Sequence, residues 1–166
     1  MQLDPIDQHM LRLLQEDGRM SNADLAQKVG LSPSACLRRL HLLEKRGVIR
    51  GYTALVDAEA AGYPLMAFIA VTLGSLKGNF RGREEFLDMI QAMDEVKECH
   101  HLAGSDDFLL KVRCHGTEDL ERIIIERLRA LPIITHTRTT VVLGTTKEMP
   151  SMVSARRDKP RAKRKG

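Results

Sequence analysis

Apolar residues recur at intervals of three and four through the first 47 positions of the chain, and this spacing predicts three short helices. The first covers residues 5–16 and begins with a proline, which suits the first position of a helix. Ser21 is a natural N-cap for the second helix, residues 22–29, and Ser32 for the third, residues 33–46. A tight glycine-containing turn between the second and third helices is typical of a helix-turn-helix module.

A different pattern follows the third helix. Residues 48–57, VIRGYTALVD, are rich in β-forming side chains and predict a small wing or a connecting strand. Residues 58–64 contain Gly and Pro and indicate a hinge. From Leu65 onward, strand and helix patterns alternate in the order β-α-β-β-α-β. The predicted elements are strands at 65–73, 95–103, 108–114 and 134–143, helices at 83–93 and 117–131, and a glycine-rich loop at 74–82.

These patterns predict an α+β protein, with an N-terminal winged helix-turn-helix domain followed by a ferredoxin-like βαββαβ domain. The helices of a ferredoxin-like domain cover one face of its sheet, so the other face needs cover. A second copy of the same chain is the simplest source of that cover, which predicts a homodimer. The expected segments are a helix-turn-helix domain at 1–52, a linker strand and hinge at 53–64, a ferredoxin-like dimerisation domain at 65–148, and a basic tail at 149–166.

Composition favours a globular, cytoplasmic protein. Hydrophobic residues make up 43% of the chain, and the longest apolar run, residues 65–71, is too short to span a bilayer. The first ten residues lack the basic start and apolar block of a secretory signal. The three cysteines show no CxxC spacing, so we expect reduced thiols.

Charge is distributed unevenly around the formal net charge of +4. Residues 1–52 are net basic, residues 53–155 are net acidic, and residues 156–166 hold seven Lys or Arg against one Asp. The tail has no apolar periodicity, so we expect it to be disordered and to add salt-sensitive attraction to DNA. A solubilising run of charge with no further role is the alternative.

The third helix has an apolar and a polar side on a helical wheel. The polar side is either a solvated surface or a surface shaped for DNA. A Ser-Pro start directs the N-terminus of the helix outward, where unpaired N–H groups suit a phosphate. The small residues Ser34 and Ala35 allow close approach, and Arg38 and Arg39 lie at the depth from which a recognition helix reaches base edges, which favours DNA. The apolar side comprises Cys36, Leu37, Leu40 and Leu43, and the polar side comprises Ser34, Arg38, His41 and Lys45, with Arg39 at one flank.

Three stretches resemble the Lrp/AsnC family, named for leucine-responsive and asparagine-synthetase control. They are LDPIDQHMLRLLQEDGRMSNADLAQKVGLSPSACLRRLHLLEKRGVIRGYTALVD, ECHHLAGSDDFLLKVRC and LPIITHTRTTVVLGTTKE. The resemblance implies a transcription regulator of the nucleoid that binds double-stranded DNA and responds to a small effector, usually an amino acid, bound between subunits. It also implies dimers that often assemble into octamers. The sequence contains no nucleophile motif, phosphate-binding loop or GxGxxG, so we expect neither a cofactor nor enzymatic activity.

The resemblance assigns functional residues to both domains. The expected DNA contacts are Ser32, Ser34, Arg38, Arg39, His41, Lys45 and, as a phosphate contact, Arg50. The expected effector contacts are Gly104, Ser105, Asp106, Asp107, Thr137 and Thr139. Two stretches depart from the common family pattern: residues 131–134 stand where many relatives have LPGV, and Ser105-Asp106 replaces an acidic-aromatic pair. The effector's identity therefore stays open.

Residues 104–107 lie between two predicted strands, so a plain hairpin turn is the simpler interpretation. The functional interpretation is chemical, because an amino acid offers an ammonium group and a carboxylate. Asp106 or Asp107 would accept from the ammonium, while Thr137, Thr139 and loop N–H groups would donate to the carboxylate.

Other chemistry is weakly indicated. Cys99, His100 and His101 are adjacent on a predicted strand and point to alternate faces, so they cannot all ligate one metal ion. A different class of protein, the sirohaem decarboxylases, resembles this two-domain arrangement and uses His and Arg in the effector-domain cleft. The intact cationic third helix argues against such an enzyme.

Overall fold

The computed structural model describes residues 3–74 and 80–148, and it divides the chain into two compact units. The division falls between Leu55 and Val56, inside the segment predicted as a linker. Most of the predicted glycine-rich loop and the whole predicted tail lie outside the described residues.

The N-terminal unit consists of α1 (Pro5–Glu16), α2 (Asn22–Val29) and α3 (Pro33–Lys45). These bounds confirm the three helices predicted from the apolar spacing. The caps Asp4, Ser21 and Ser32 each accept a hydrogen bond from the backbone N–H three residues later, at N···O distances of 2.7, 3.1 and 3.3 Å. Local cap chemistry therefore sets where each helix begins.

The turn between α2 and α3 is held at two points. Gly30 ends α2 with φ 71° and ψ 35°, a left-handed conformation that glycine adopts without a steric penalty. The Asn22 side-chain amide donates to the Pro33 carbonyl over 2.9 Å, which joins the start of α2 to the start of α3.

A small apolar core holds the three helices together. Its four buried side chains are at most 1% exposed, and partly buried apolar residues from all three helices surround them. The buried four are Met10, Leu25, Ala26 and Cys36.

Arg39 on α3 forms ion pairs with two carboxylates at the start of α1. Its Nη1 atom lies 2.6 Å from Asp4 Oδ2 and 2.8 Å from Asp7 Oδ1. The hydrogen bond from the Asp7 N–H, followed by that from Arg39, lowers the pKa of Asp4. Hydrogen bonds to Asp4 and Asp7 raise the pKa of Arg39 in turn. The guanidinium therefore ties α3 to the first turn of α1.

Residues 48–57 form no strand, so the predicted wing or connecting strand is wrong for the single chain. Leu55 and Val56 in this segment are 77% and 71% exposed. A strand needs a neighbour for its N–H and C=O groups, and no described strand of the chain pairs with this segment. Residues 58–62 form turns.

The C-terminal unit consists of β1 (Leu65–Leu73), α4 (Phe80–Gln91), β2 (Val96–His101), β3 (Phe108–Cys114), α5 (Thr117–Arg122) and β4 (Ile134–Val141). This order confirms the predicted β-α-β-β-α-β pattern. The strands lie in the order β2-β3-β1-β4 with antiparallel neighbours throughout, which is the ferredoxin-like arrangement.

The core of this unit lies between one face of the sheet and the two helices. Alternate residues of β1 and β3 point to this face and are buried. They pack against Phe86 and Ile90 from α4, Met93 just after it, and Leu120 from α5. The sheet residues of this core are Ala67, Ile69, Val71, Leu73, Phe108, Leu110, Val112 and Cys114.

Both helices depart from the predicted bounds. Helix α4 begins three residues earlier than predicted and ends two residues earlier. Helix α5 continues as a π-helix, Ile123–Leu128, in place of the single α-helix predicted for residues 117–131. The wider π turn buries Ile123 and Leu128, which are five residues apart, and leaves Ile125 49% exposed.

Replacing Asp4 with asparagine should lower stability at neutral pH but not in acid. Asparagine keeps a good N-cap and removes the charge that faces Arg39. Because folding lowers the pKa of Asp4 below its ordinary value of 3.8, the carboxylate stabilises the fold above that pH. The contribution is lost as the pH falls through the folded-state pKa. The melting temperatures of wild type and of Asp4→Asn should therefore differ near neutral pH and converge in acid.

Two arginine variants provide the control for this experiment. Arg39→Ala should also lower the melting temperature at neutral pH, because it removes the partner of both carboxylates. Arg38→Ala should leave the pH profile unchanged, since Arg38 has no acidic partner among the described residues. A melting difference between wild type and Asp4→Asn that stays constant from neutral to acid pH would contradict the assigned role.

Candidate DNA-binding helix and effector loop

One side of α3 is open to solvent and carries polar and cationic groups. Ser34, Arg38, His41 and Lys45 are all exposed on this side, at the spacing of one helical face. Within the described residues, the Arg38 side chain forms neither a hydrogen bond nor an ion pair. Its guanidinium is therefore available to a partner outside the chain.

The exposed side continues at both ends of the helix. Ser32 caps the N-terminus and lies 3.3 Å, Oγ to Oγ, from Ser34, so two hydroxyl groups stand at the positive end of the helix dipole. Arg50 is exposed four residues after the C-cap residue Arg46. The predicted DNA contacts other than Arg39 thus lie at the surface.

Arg39 requires a correction. The sequence predicted that it projects toward DNA beside Arg38, but its guanidinium pairs with Asp4 and Asp7 and its side chain is 31% exposed. Adjacent helical residues point about 100° apart, so one arginine faces solvent and the other faces α1. Arg39 therefore orients α3, whereas Arg38 has no partner in the part of the chain that the structure describes.

Leu37 requires a second correction. The wheel placed it on the buried side, but it is 42% exposed. It lines a shallow depression of about 390 Å³ on the outer side of α3, together with Leu42. The other residues of the depression are Ser34, Arg38, His41 and Lys45.

In the C-terminal unit, Asp107 has a structural role in the predicted effector loop. Its Oδ2 accepts a hydrogen bond from the Leu73 N–H over 2.7 Å, and its own N–H donates to the Val71 carbonyl over 2.9 Å. Both bonds attach the turn at 104–107 to the end of β1. The Asp107 carboxylate is thus engaged by the backbone.

Asp106 points to another partner, Arg138 on β4. The Arg138 Nη2 lies 2.8 Å from Asp106 Oδ2, and the Thr72 hydroxyl lies 3.4 Å from Asp106 Oδ1. The Asp106 side chain is 13% exposed and that of Arg138 is 65% exposed. A carboxylate and a guanidinium thus meet at an open edge of the sheet.

Strand register separates this pair from the two predicted threonines. Thr137 and Thr139 lie opposite Val71 and Ile69 of β1, so their side chains share the helix-covered face of the sheet. Arg138 alternates to the other face, where Asp106 meets it. Within one chain, Asp106 therefore lies on the opposite face of the sheet from Thr137 and Thr139, and their joint contact with one effector bound between subunits stays a prediction.

Sequence reasoning did not place Arg138 beside Asp106 of the predicted effector loop. The available signal was its position between the two threonines, because strand alternation puts it on the face opposite to theirs. Choosing between the faces required the register of β4 against β1, which the sequence does not contain.

His100, which suggested other chemistry, and His115 are each engaged by a separate partner. His100 Nε2 lies 3.1 Å from Glu98 Oε2, and hydrogen bonds from His100 and then Lys111 lower the pKa of Glu98. His115 Nδ1 lies 2.6 Å from the Gly62 carbonyl oxygen. Across residues 3–74 and 80–148, no cluster of three or more His, Cys, Asp or Glu side chains is arranged to hold a metal ion. In the same ranges, no helix is long and apolar enough to cross a membrane.

Family profiles match both parts of the chain. The AsnC-type helix-turn-helix domain matches residues 3–44, and the Lrp/AsnC ligand binding domain matches residues 66–152. The leucine-responsive regulatory protein of Haemophilus influenzae is 42% identical over 151 residues, which cover 91% of this chain and 90% of that protein. The Escherichia coli K12 protein of the same name is 39% identical, with 91% of each chain covered.

The chain is also similar to solved structures of transcription regulators. A transcriptional regulator from Neisseria meningitidis in complex with L-Met superposes with a TM-score of 0.85 at 34% identity, covering 91% of this chain and 96% of that one. A feast or famine regulatory protein from Mycobacterium tuberculosis complexed with L-methionine gives 0.82 at 33% identity, covering 92% and 100%. These relatives are regulators, and nothing in the comparisons favours the sirohaem-decarboxylase alternative. The chain therefore belongs to the Lrp/AsnC family of transcription regulators, with a helix-turn-helix domain and a ligand-binding domain.

Proposed function

We propose that the outer side of α3 enters the major groove of DNA and that Arg38 reads base edges there. The observation that carries the proposal is the Arg38 guanidinium, which has no partner among residues 3–74 and 80–148 and stands beside the exposed Ser34 on a helix held from behind by Arg39. A guanidinium donates two parallel hydrogen bonds to the O6 and N7 atoms of guanine, which is the commonest specific contact in this groove.

The remaining exposed groups serve to position the helix. The N-terminus of α3, with the hydroxyls of Ser32 and Ser34, suits a backbone phosphate. Lys45 and Arg50, at the other end of the module, add attraction to phosphates without reading sequence. His41 lies between these two groups on the same exposed side.

We further propose that an amino acid binds at the Asp106–Arg138 pair. A zwitterion offers an ammonium group to the Asp106 carboxylate and a carboxylate to the Arg138 guanidinium. Ser105 adds an exposed side chain beside Asp106, and Gly104 has no neighbouring atom within 4 Å of the position where a Cβ would stand. The two methionine-bound relatives support an amino acid as the class of effector.

The assembly in this proposal is a homodimer formed through the helix-free face of the sheet, with further assembly to an octamer. A dimer places two α3 helices on DNA, with half-sites about one helical turn or a multiple apart. The protein then acts on the bacterial nucleoid in the cytoplasm, and its control of transcription requires neither a cofactor nor catalysis.

Replacing Arg38 with alanine should relax discrimination among DNA sequences. The loss should be roughly 1–3 kcal/mol for a selected duplex and little for a scrambled duplex, because only base contacts distinguish the two. Removing residues 156–166 should instead weaken both duplexes alike and flatten the salt dependence. Anisotropy titrations at several salt concentrations measure both effects. An equal loss on both duplexes in the Arg38 variant would refute base reading by this residue.

A thermal-shift screen against the twenty amino acids should identify at least one that raises the melting temperature. A ligand at one hundred times its Kd contributes about 2.7 kcal/mol to stability. Arg138→Gln should abolish most of that shift, because the ligand carboxylate loses its donor. Arg122→Gln is the matched control, since it removes a comparable exposed ion pair with Asp119 on α5. A shift that survives Arg138→Gln would place the effector elsewhere.

A further inference from the structure

Two leucines on the outer side of α3 are unexpectedly exposed. Leu37 is 42% exposed and Leu42 is 41% exposed, and both line the same shallow depression. Single exposed leucines are ordinary on protein surfaces. These two, however, lie among Arg38, His41 and Lys45, on the side of the helix that the proposed function brings to DNA.

The cationic residues around these two leucines limit the kind of partner that the apolar side chains can contact. A cationic surface favours a polyanion, and in the major groove the principal apolar feature of a base edge is the C5-methyl group of thymine. The leucine side chain can bury that methyl while the neighbouring guanidinium and imidazole satisfy polar edges. The depression is therefore suited to duplex DNA with thymine at a defined position.

The two leucines are not equivalent along the helix. Leu37 lies in the N-terminal half of α3, one turn from Ser34 and one turn from His41, where recognition helices make their base contacts. Leu42 lies about 7.5 Å further along the axis, in the half that leaves the groove. We infer that Leu37 is a specificity-determining residue that contacts a thymine methyl group, and that Leu42 is not. This inference rests on the proposed DNA reading by α3.

The experiment begins with a duplex pool that has a randomised core, from which the full-length protein selects its preferred sequence. Each thymine of the selected duplex is then replaced singly by uracil, which lacks only the methyl group. Wild type should lose about fourfold in affinity at one thymine of each half-site, the effect of withdrawing one buried methyl. Leu37→Ala should bind thymine and uracil duplexes alike at that position.

Leu42→Ala is the matched control, because it removes the same side chain with the same exposure from the same helix. It should retain the fourfold preference for thymine, and Leu37→Met, which keeps an apolar side chain, should retain part of it. Circular dichroism melting verifies that each variant is folded, and both alanine variants should bind a scrambled duplex like wild type.

Three outcomes would overturn the assignment of Leu37. The first is a wild-type protein that is insensitive to uracil at every thymine. The second is a thymine preference that survives Leu37→Ala or disappears in Leu42→Ala. The third is a change in oligomeric state, measured by light scattering, in both alanine variants with unaltered DNA binding, which would identify the leucines as a protein contact. A pool that shows no enrichment at all would instead refute DNA reading by α3.

Discussion

The ion pairs of Arg39 with Asp4 and Asp7 fix the rotation of α3 about its own axis. The apolar core of this unit is small, and apolar burial is not directional. A guanidinium held by two carboxylates is directional, and it engages the flank of α3 that faces α1. Because neighbouring helical residues diverge by about 100°, fixing Arg39 inward directs Arg38 outward. One arginine therefore determines what the next one can reach.

A comparable division of roles occurs in the loop at 104–107. Asp107 is bonded to the backbone of β1 and holds the turn, whereas Asp106 meets a side chain that is mostly in solvent. In both places, two neighbouring residues of the same type have different roles, and the role follows from which partner each one meets. A residue type alone did not distinguish Arg38 from Arg39, or Asp106 from Asp107.

This contrast explains what the sequence could predict. The helix starts depend on caps within three residues, so Asp4 and Ser32 were identifiable from local pattern. The element order was also readable, because its periodicities are local. The Arg39–Asp4 contact spans 35 residues, and the face of Arg138 depends on the register of β4 against β1. The strand predicted at 48–57 failed for a related reason, since pairing requires a partner that the single chain does not place there.

The exposure of the Asp106–Arg138 pair bears on the proposed effector response. An ion pair whose arginine is 65% exposed contributes little to stability. A ligand that breaks this pair therefore gives up little binding free energy. An amino acid supplies both opposite charges at once and satisfies the two side chains separately. The Asp107 bonds to β1 hold the turn independently of the pair, so the proposed binding rearranges the Asp106 and Arg138 side chains while the turn keeps its attachment to β1. Such a change alters DNA binding only if the closed and open arrangements of the pair differ in affinity both for the amino acid and for DNA. In this proposal the amino acid binds the open arrangement, and the exposed pair costs little to open, so ligand binding shifts the equilibrium toward that arrangement.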